Sequence, residues 1–284
     1  VPNTHWQTRI RRAERLAAEH PFAAEILTFY IHTARFQESL YQRIERASPD
    51  AAKSSAGVRL AVESASRRLP GQQDATAAFS TELPELLSSF PEFLALVEKQ
   101  APARLAQVAD ELIQSPDSWA DLLNNFWTGT TQVPTEPGEF LALAFLQPYA
   151  EFVRAHVPLQ LEGYTHPLCP FCSRQPVAGV LRPQGDGARR NLVCGLCLTE
   201  WEFRRIVCPG CGQEGHAKLP VYTAESFPYI RVECCDACRT YIKTIDLSKN
   251  GLADPLVDEL ASVPLDLWAQ EHGYAKLHPN LLGL

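Results

Sequence analysis

The chain has no cysteine before Cys169 and none after Cys238. That excludes a disulfide framework spread through the molecule. It also holds no methionine, where a chain of 284 residues usually carries several. No apolar run approaches the ~18 residues that cross a bilayer; the longest, such as Phe140–Leu146, are core-sized. No apolar stretch follows the polar, basic Val1–Arg12 segment, so no secretory signal is expected and a reducing cytoplasm is. Basic residues are in deficit, and the formal net charge is −7, which does not suit a protein that grips polyphosphate. There is no Gly-rich phosphate loop, no His-Glu-x-x-His, and no Ser or Cys nucleophile with an identifiable base, so no catalytic constellation is expected.

What is present is concentrated. All nine cysteines fall between 169 and 238, and eight form Cys-x-x-Cys pairs: Cys169–Cys172, Cys194–Cys197, Cys208–Cys211 and Cys235–Cys238. Two such pairs make one tetrahedral thiolate site, so four pairs supply two sites. Sequential pairing leaves two gaps of similar length, 173–193 and 212–234, which suit a β-hairpin and suggest a tandem duplication. Crossed pairing of Cys194/Cys197 with Cys208/Cys211 leaves only the short segment 198–207 to return. Site one is therefore Cys169, Cys172, Cys194 and Cys197; site two is Cys208, Cys211, Cys235 and Cys238. Zinc and iron both accept four thiolates, and spacing does not choose between them. Cys234, the ninth, is a candidate reactive thiol beside a ligand, though packing is the commoner role. His166 and His216 lie near the pairs and are expected to be solvated or to stand behind the ligands. Asp236 and Lys243 read as surface residues.

The fold class expected is α+β: an all-helical N-terminal domain (1–163), two tandem rubredoxin-like or zinc-ribbon four-cysteine modules (164–205 and 206–250), and a C-terminal helical tail (251–284). Pro21–Phe22 opens a long helix in which Ile26, Phe29, Tyr30, Phe36, Leu40 and Ile44 recur at helical spacing. Ser48–Gly57 reads as a loop. Val58–Leu69 is a second amphipathic stretch ended by Pro70–Gly71. Further helices are expected over Leu83–Glu98 (interrupted by Pro91), Ala103–Gln114, Ser118–Trp127 and Gly138–Val157, with a loop at Thr128–Pro137. Trp119, Phe126 and Trp127 read as core. Short strands are expected at Val177–Leu181, Val221–Thr223, Tyr229–Val232 and Tyr241–Ile245, with a turn at Gly185–Gly187. Asp254–Leu277 is helix-like and broken by Pro264, before a short apolar tail Leu281–Leu284.

The flanking text is specific. Cys169-Pro-Phe-Cys172-Ser-Arg-Gln-Pro-Val-Ala-Gly-Val-Leu181, Cys194-x-x-Cys197-x-x-x-Trp201, Arg205-Ile-Val-Cys208-x-x-Cys211 and Cys235-x-x-Cys238-x-x-Tyr241-Ile-Lys243 stand in order. With Leu146-Gln-Pro-Tyr-Ala-Glu151 before them and Glu271-His-Gly-Tyr-Ala275 after, the chain resembles the formate dehydrogenase accessory protein family, FdhE. Ser173 departs from the glycine common after such a pair, and Cys234 adds a thiol. The resemblance implies a cytoplasmic, non-enzymatic assembly factor that contacts the catalytic subunit of respiratory formate dehydrogenase before export. It also implies two iron ions in rubredoxin-type sites, with zinc as the alternative, and it carries the ligand role to the eight paired cysteines.

Two other functions compete. A nucleic-acid-binding zinc ribbon needs a basic face. Residues 166–247 hold ten basic against eight acidic residues, and the remainder 16 against 25. Two divalent four-thiolate sites each carry about −2, so neither part offers that face. A rubredoxin-like electron carrier or redox sensor is the other reading, but a small carrier needs no long helical domain before it. The acidic remainder could attract an arginine-bearing client segment such as a twin-arginine leader.

Overall fold

Apolar side chains at helical spacing build the first half of the molecule. The computed structural model describes residues 4–47, 79, 82–129, 133–159 and 161–280. Its helices include α1 (Thr4–Glu19), α2 (Ala24–Ala47), α3 (Phe90–Gln100), α4 (Ala103–Ile113), α5 (Trp119–Thr128) and α6 (Pro137–Ala155). A 3-10 turn at Pro21–Ala23 leads into α2, because proline fits a first turn whose N–H groups are unpaired anyway. Phe29, Tyr30, Phe36 and Leu40 are buried as their spacing predicts, and Ile26 and Ile44 pack against the same core. The break expected near Pro91 is a turn at residues 88–89, and Pro91 sits in the first turn of α3. Phe126 is buried, and Trp119 and Trp127 are half-buried against the same core. The Thr128–Pro137 connection joins α5 to α6, and its residues 130–132 lie outside the described residues. So do the expected loop Ser48–Gly57, the stretch Val58–Leu69 with Pro70–Gly71, and the tail Leu281–Leu284.

Helix α6 is the axis of the helical part, and Leu141 through Ala150 are all buried. A proline, Pro148, lies inside it. Proline has no N–H, so the carbonyl four residues back loses its partner. That carbonyl belongs to Ala144, and buried Gln37 of α2 donates to it from Nε2 at 2.6 Å. The side chain thus satisfies a backbone group that the helix cannot.

The second half is a sheet of seven strands: β1 (Pro176–Gln184), β2 (Gly187–Cys194), β3 (Glu200–Glu202), β4 (Val221–Ala224), β5 (Phe227–Cys235), β6 (Thr240–Asp246) and β7 (Ala275–Lys276). Their order is β3-β2-β1-β6-β5-β4, with β7 also paired to β6. The strands of β1–β2, β2–β3, β4–β5 and β5–β6 are antiparallel. Strands β1 and β6 pair in parallel, with Gly179 opposite Thr244 and Leu181 opposite Asp246. The strands that carry the first two cysteine pairs and those that carry the last two therefore form one continuous sheet. The turn at Gly185 (φ 54°) closes the β1–β2 hairpin.

Two short helices follow: α7 (Pro255–Ala261) and α8 (Val263–Glu271). Asp254 caps α7 by accepting from the N–H groups of Leu256 and Val257. The break anticipated at Pro264 lies at Ser262, and Pro264 stands in the first turn of α8. A buried clamp ties the first helix to the last part of the chain: Arg12 forks onto Asp258, donating from Nε at 2.9 Å, and Tyr229 also donates to Asp258 at 2.8 Å. No helix among the described residues is long and apolar enough to cross a membrane.

Candidate metal centres

Each cluster takes one pair from the turn that precedes a hairpin or meander and one from a turn within it. The Sγ atoms of Cys169, Cys172, Cys194 and Cys197 all lie within 4.8 Å of one another, as do those of Cys208, Cys211, Cys235 and Cys238. Sequential pairing is the arrangement observed. In the first cluster the contacts run 3.5 Å (Cys169–Cys197), 3.3 Å (Cys172–Cys194) and 3.6 Å (Cys172–Cys197). In the second, Cys208–Cys238 and Cys211–Cys235 are both 3.7 Å. A tetrahedron of thiolates at ~2.3 Å from a central ion has edges of about 3.75 Å, so both donor sets fit one ion each. They do not fit disulfides, whose sulfurs lie ~2 Å apart.

The four turns share one backbone solution. The residue after each second cysteine is left-handed: Ser173 (φ 58°), Leu198 (φ 54°), Gly212 (φ 75°) and Arg239 (φ 57°). Ser173, Gly212 and Arg239 donate their N–H to the carbonyl of the first cysteine of the pair. The turn thereby exposes amides to sulfur: Phe171 N–H to Cys169 at 3.4 Å, Leu196 N–H to Cys194 at 3.4 Å, and Gly210 N–H to Cys208 at 3.3 Å. Thr199 and Thr240, each two positions past the last cysteine of a cluster, place a hydroxyl 3.0 Å from Cys197 and Cys238. These donors stabilise thiolate charge.

Burial divides the two clusters. In the first, Cys169, Cys194 and Cys197 are buried and Cys172 is half-buried; in the second, Cys211 is exposed and Cys238 half-buried. Thiol titration follows. Three neighbouring thiols that donate to Cys172 hold it well below the ordinary value. Burial pushes Cys194 and Cys197 well above it. Burial likewise raises Cys208 to about 12. Burial opposes ionisation of Cys238 too, but the Thr240 hydroxyl and its sulfur neighbours bring it down to about 7. Without metal, each cluster therefore retains protons that a bound ion must displace.

The first cluster is set into the helical part. Gln147 of α6 donates to the Gly195 carbonyl at 3.4 Å and accepts from Gln37 at 3.2 Å, so the network that satisfies Ala144 reaches the second cysteine turn. Arg174, next to the first turn, lies 4.2 Å over the Phe126 ring and donates to the Phe126 carbonyl. The second cluster is held by the C-terminal segment: Arg239 donates to the His272 carbonyl at 2.6 Å, and Tyr274 donates to Asp236 at 2.6 Å. The tail touches both clusters through adjacent residues. A Cβ on Gly195 would lie 2.5 Å from His278 Nε2, and one on Gly210 would lie 3.1 Å from Leu277 Cδ1.

Cys234 joins neither cluster. It is 3% exposed, packs with Ile230, Val232 and Tyr241, and burial pushes its thiol up to about 12. A shielded, protonated thiol is a poor nucleophile. His166 and His216 are exposed and also join neither cluster. Asp236 is half-buried rather than open.

Lys243 corrects the sequence reading outright: it is fully buried. Its ammonium meets Asp266 at 2.6 Å, Glu259 at 3.0 Å and the Glu259 carbonyl at 2.6 Å. Lys276 pairs with the same two carboxylates, and Tyr241 donates to Asp266 at 2.7 Å. A buried charge persists only when so paired. Burial lowers the Lys243 ammonium, while Glu259, although burial opposes it, is held down at about 2 by Lys243 and Lys276. Nothing local marks this lysine; its partners Glu259 and Asp266 stand in the two helices beyond β6.

Comparison with known proteins agrees with this architecture. The family model described as FdhE, central domain, matches residues 168–205, and that described as FdhE, C-terminal domain, matches 206–282. "Protein FdhE homolog" of Aquifex aeolicus (strain VF5) is 27% identical over 277 residues, covering 96% of this chain and 94% of that protein. The Pseudomonas aeruginosa homolog is 36% identical over 127 residues, which cover 43% of this chain and 41% of that one. The crystal structure of the FdhE protein from Pseudomonas aeruginosa has the same fold, with a TM-score of 0.66 at 24% identity, over 98% of this chain and 94% of that one.

Proposed function

The chain belongs to the FdhE family, and on that premise we propose that it is a non-enzymatic accessory factor for the maturation of respiratory formate dehydrogenase. It binds the catalytic subunit in the cytoplasm before export. Cys169, Cys172, Cys194 and Cys197 hold one iron ion, and Cys208, Cys211, Cys235 and Cys238 hold a second.

The observation that carries this reading is the pair of closed four-thiol clusters inside the two matched domains. Four protein ligands fill a tetrahedron and leave no position for a substrate, unlike a catalytic site with three. Metal held in this way organises the surrounding turns and, when it is iron, can cycle one electron. The chain's own residues supply the rest: amides of Phe171, Leu196 and Gly210 and hydroxyls of Thr199 and Thr240 turned toward sulfur. The choice of iron over zinc rests on the family resemblance.

The test is genetic and biochemical together. In a strain deleted for its own copy of the gene, the wild-type chain should restore formate dehydrogenase activity and co-purify with the catalytic subunit. Cys169→Ser with Cys172→Ser should lose both. Full activity in the deleted strain without any complementing chain would refute the reading.

A further inference from the structure

Residues 272–280 run past both cysteine clusters. At the second cluster they are tied to the turn of Cys235 and Cys238. Arg239 donates to the His272 carbonyl at 2.6 Å and to the Gly273 carbonyl at 3.3 Å, with its guanidinium 4.0 Å over the Tyr274 ring. Tyr274 donates to Asp236, inside that turn, at 2.6 Å. Strand β7 then pairs with β6, and Leu277 donates its N–H to the Tyr241 carbonyl at 2.9 Å. The Leu277 side chain lies against Gly210, in the other turn of the same cluster.

One residue further on, the segment reaches the first cluster. His278 is 1% exposed, and its ring faces Gly195, between Cys194 and Cys197. A Cβ at 195 would stand 2.5 Å from Nε2 and 2.7 Å from Cε1, so only glycine leaves room for the ring. Gln147 of α6 donates to the carbonyl of the same glycine. Lys276 and Asn280, on either side of His278, both bond to Glu259 of α7 and fix its place. Nδ1 faces the Pro279 carbonyl at 2.5 Å, and Nε2 has no hydrogen-bond partner among the described residues. A buried nitrogen left unpaired costs free energy, so packing is what holds the ring on the turn.

We propose that residues 272–280 are a strap linking the two metal centres, so that an ion at either cluster seats the strap and strengthens binding at the other. An ion in the second cluster fixes the turns that carry Asp236, Arg239 and Gly210, on which the strap lies. Without that ion the turns gain freedom and the seat loosens. His278 then bears less firmly on Gly195, and the first cluster loses a contact that places Cys194 and Cys197. The two states are strap seated and strap unseated, and each ion prefers the first. The effect is reciprocal. Arg239 and His278 are the positioning residues, one at each end. The linkage rests on the reading of the eight cysteines as two ion sites, and on neither the choice of metal nor the client.

Competition titration of the full chain with cobalt(II) tests it. The wild type gives the constant for binding two ions. Cys208→Ser with Cys211→Ser, and Cys169→Ser with Cys172→Ser, give each centre alone. The two-ion constant should exceed the product of the single-centre constants by about fivefold or more. His278→Ala should abolish that excess and Arg239→Ala should reduce it, although neither side chain is a ligand. General destabilisation would lower every constant without abolishing the excess. Amide exchange keeps the test open if a single-centre chain fails to fold. With both centres loaded, Arg239→Ala should speed exchange at residues 194–197 and leave the buried part of α6 unchanged. A ratio near one, an excess that survives His278→Ala, or unchanged exchange at 194–197 would overturn the linkage alone. Fewer than two cobalt ions per wild-type chain would overturn the reading of the clusters with it.

Discussion

Gly179 of β1 lies directly opposite Thr244 of β6, so close that a Cβ at 179 would stand 2.2 Å from the Thr244 hydroxyl oxygen. This is the seam at which the two cysteine-bearing halves become one sheet. Overpacking a closed core site costs about 1–3 kcal/mol. Gly179→Ala should lower the urea midpoint accordingly. The Thr244 hydroxyl is buried without a partner, so Thr244→Ala alone should be close to neutral and should rescue the Gly179→Ala variant. Equal destabilisation with and without Thr244 would show that the seam is looser than this.

Exposure of Cys211 against burial of three of the four sulfurs in the first cluster predicts unequal metal release. A chelator with a chromogenic readout should remove metal in two phases of equal amplitude. Cys211→Ser should abolish the fast phase and leave the slow one. A single phase in the wild type would contradict the asymmetry.

Metal affinity should fall with falling pH. Burial keeps Cys194 and Cys197 well above the ordinary thiol value, and Cys208 at about 12, in the metal-free chain. Those protons leave when an ion binds, so binding weakens as their concentration rises. Competition titrations between pH 8 and pH 6 should give an apparent affinity that drops by more than tenfold per pH unit. A pH-independent affinity would mean that the thiols are already ionised.

Glu259 anchors the tail helices through Lys243 and Lys276. Removing one member of a buried ionic group costs about 3–5 kcal/mol, because the partners stay charged. Glu259→Gln should therefore lower the melting temperature strongly. The carboxyl is held at about 2, below an unfolded value of ~4.3, so its contribution is complete above pH ~4.3. It should disappear as pH falls toward 2, and the gap between wild type and variant should close over that window. A constant gap would place the effect in packing.

Ser173 carries a left-handed backbone where glycine would be unstrained. That conformation costs an L-residue roughly 1–2 kcal/mol. Ser173→Gly should raise the melting temperature of the metal-loaded protein, and Ser173→Val should lower it. The opposite order would show that the serine side chain outweighs the strain.

Helices and the two four-cysteine clusters are legible in the chain because their signals are local. Periodic Phe29, Phe36 and Leu40 report α2, and the Cys-x-x-Cys spacing reports both the clusters and their sequential pairing. Strand β2 escapes a sequence reading because Arg189, Arg190 and Asn191 interrupt any alternation, and Arg190 is buried only by virtue of Glu233. The parallel pairing of β1 with β6 is also hidden, since Gly179 and its partner Thr244 lie far apart in the chain. Lys243 misleads for the same reason: a lysine in a short strand reads as exposed until Glu259 and Asp266 are folded back over it. Distant partners, not weak propensities, set the limit.

The most direct measurement is metal analysis with an optical spectrum on protein purified without oxygen. Two iron ions per chain are predicted, with visible thiolate-to-iron absorption that bleaches reversibly on reduction. Replacing the cysteines of either cluster by serine should remove one iron and about half of the absorbance. A colourless protein with two zinc ions, or fewer than two metal ions after anaerobic purification, would contradict it.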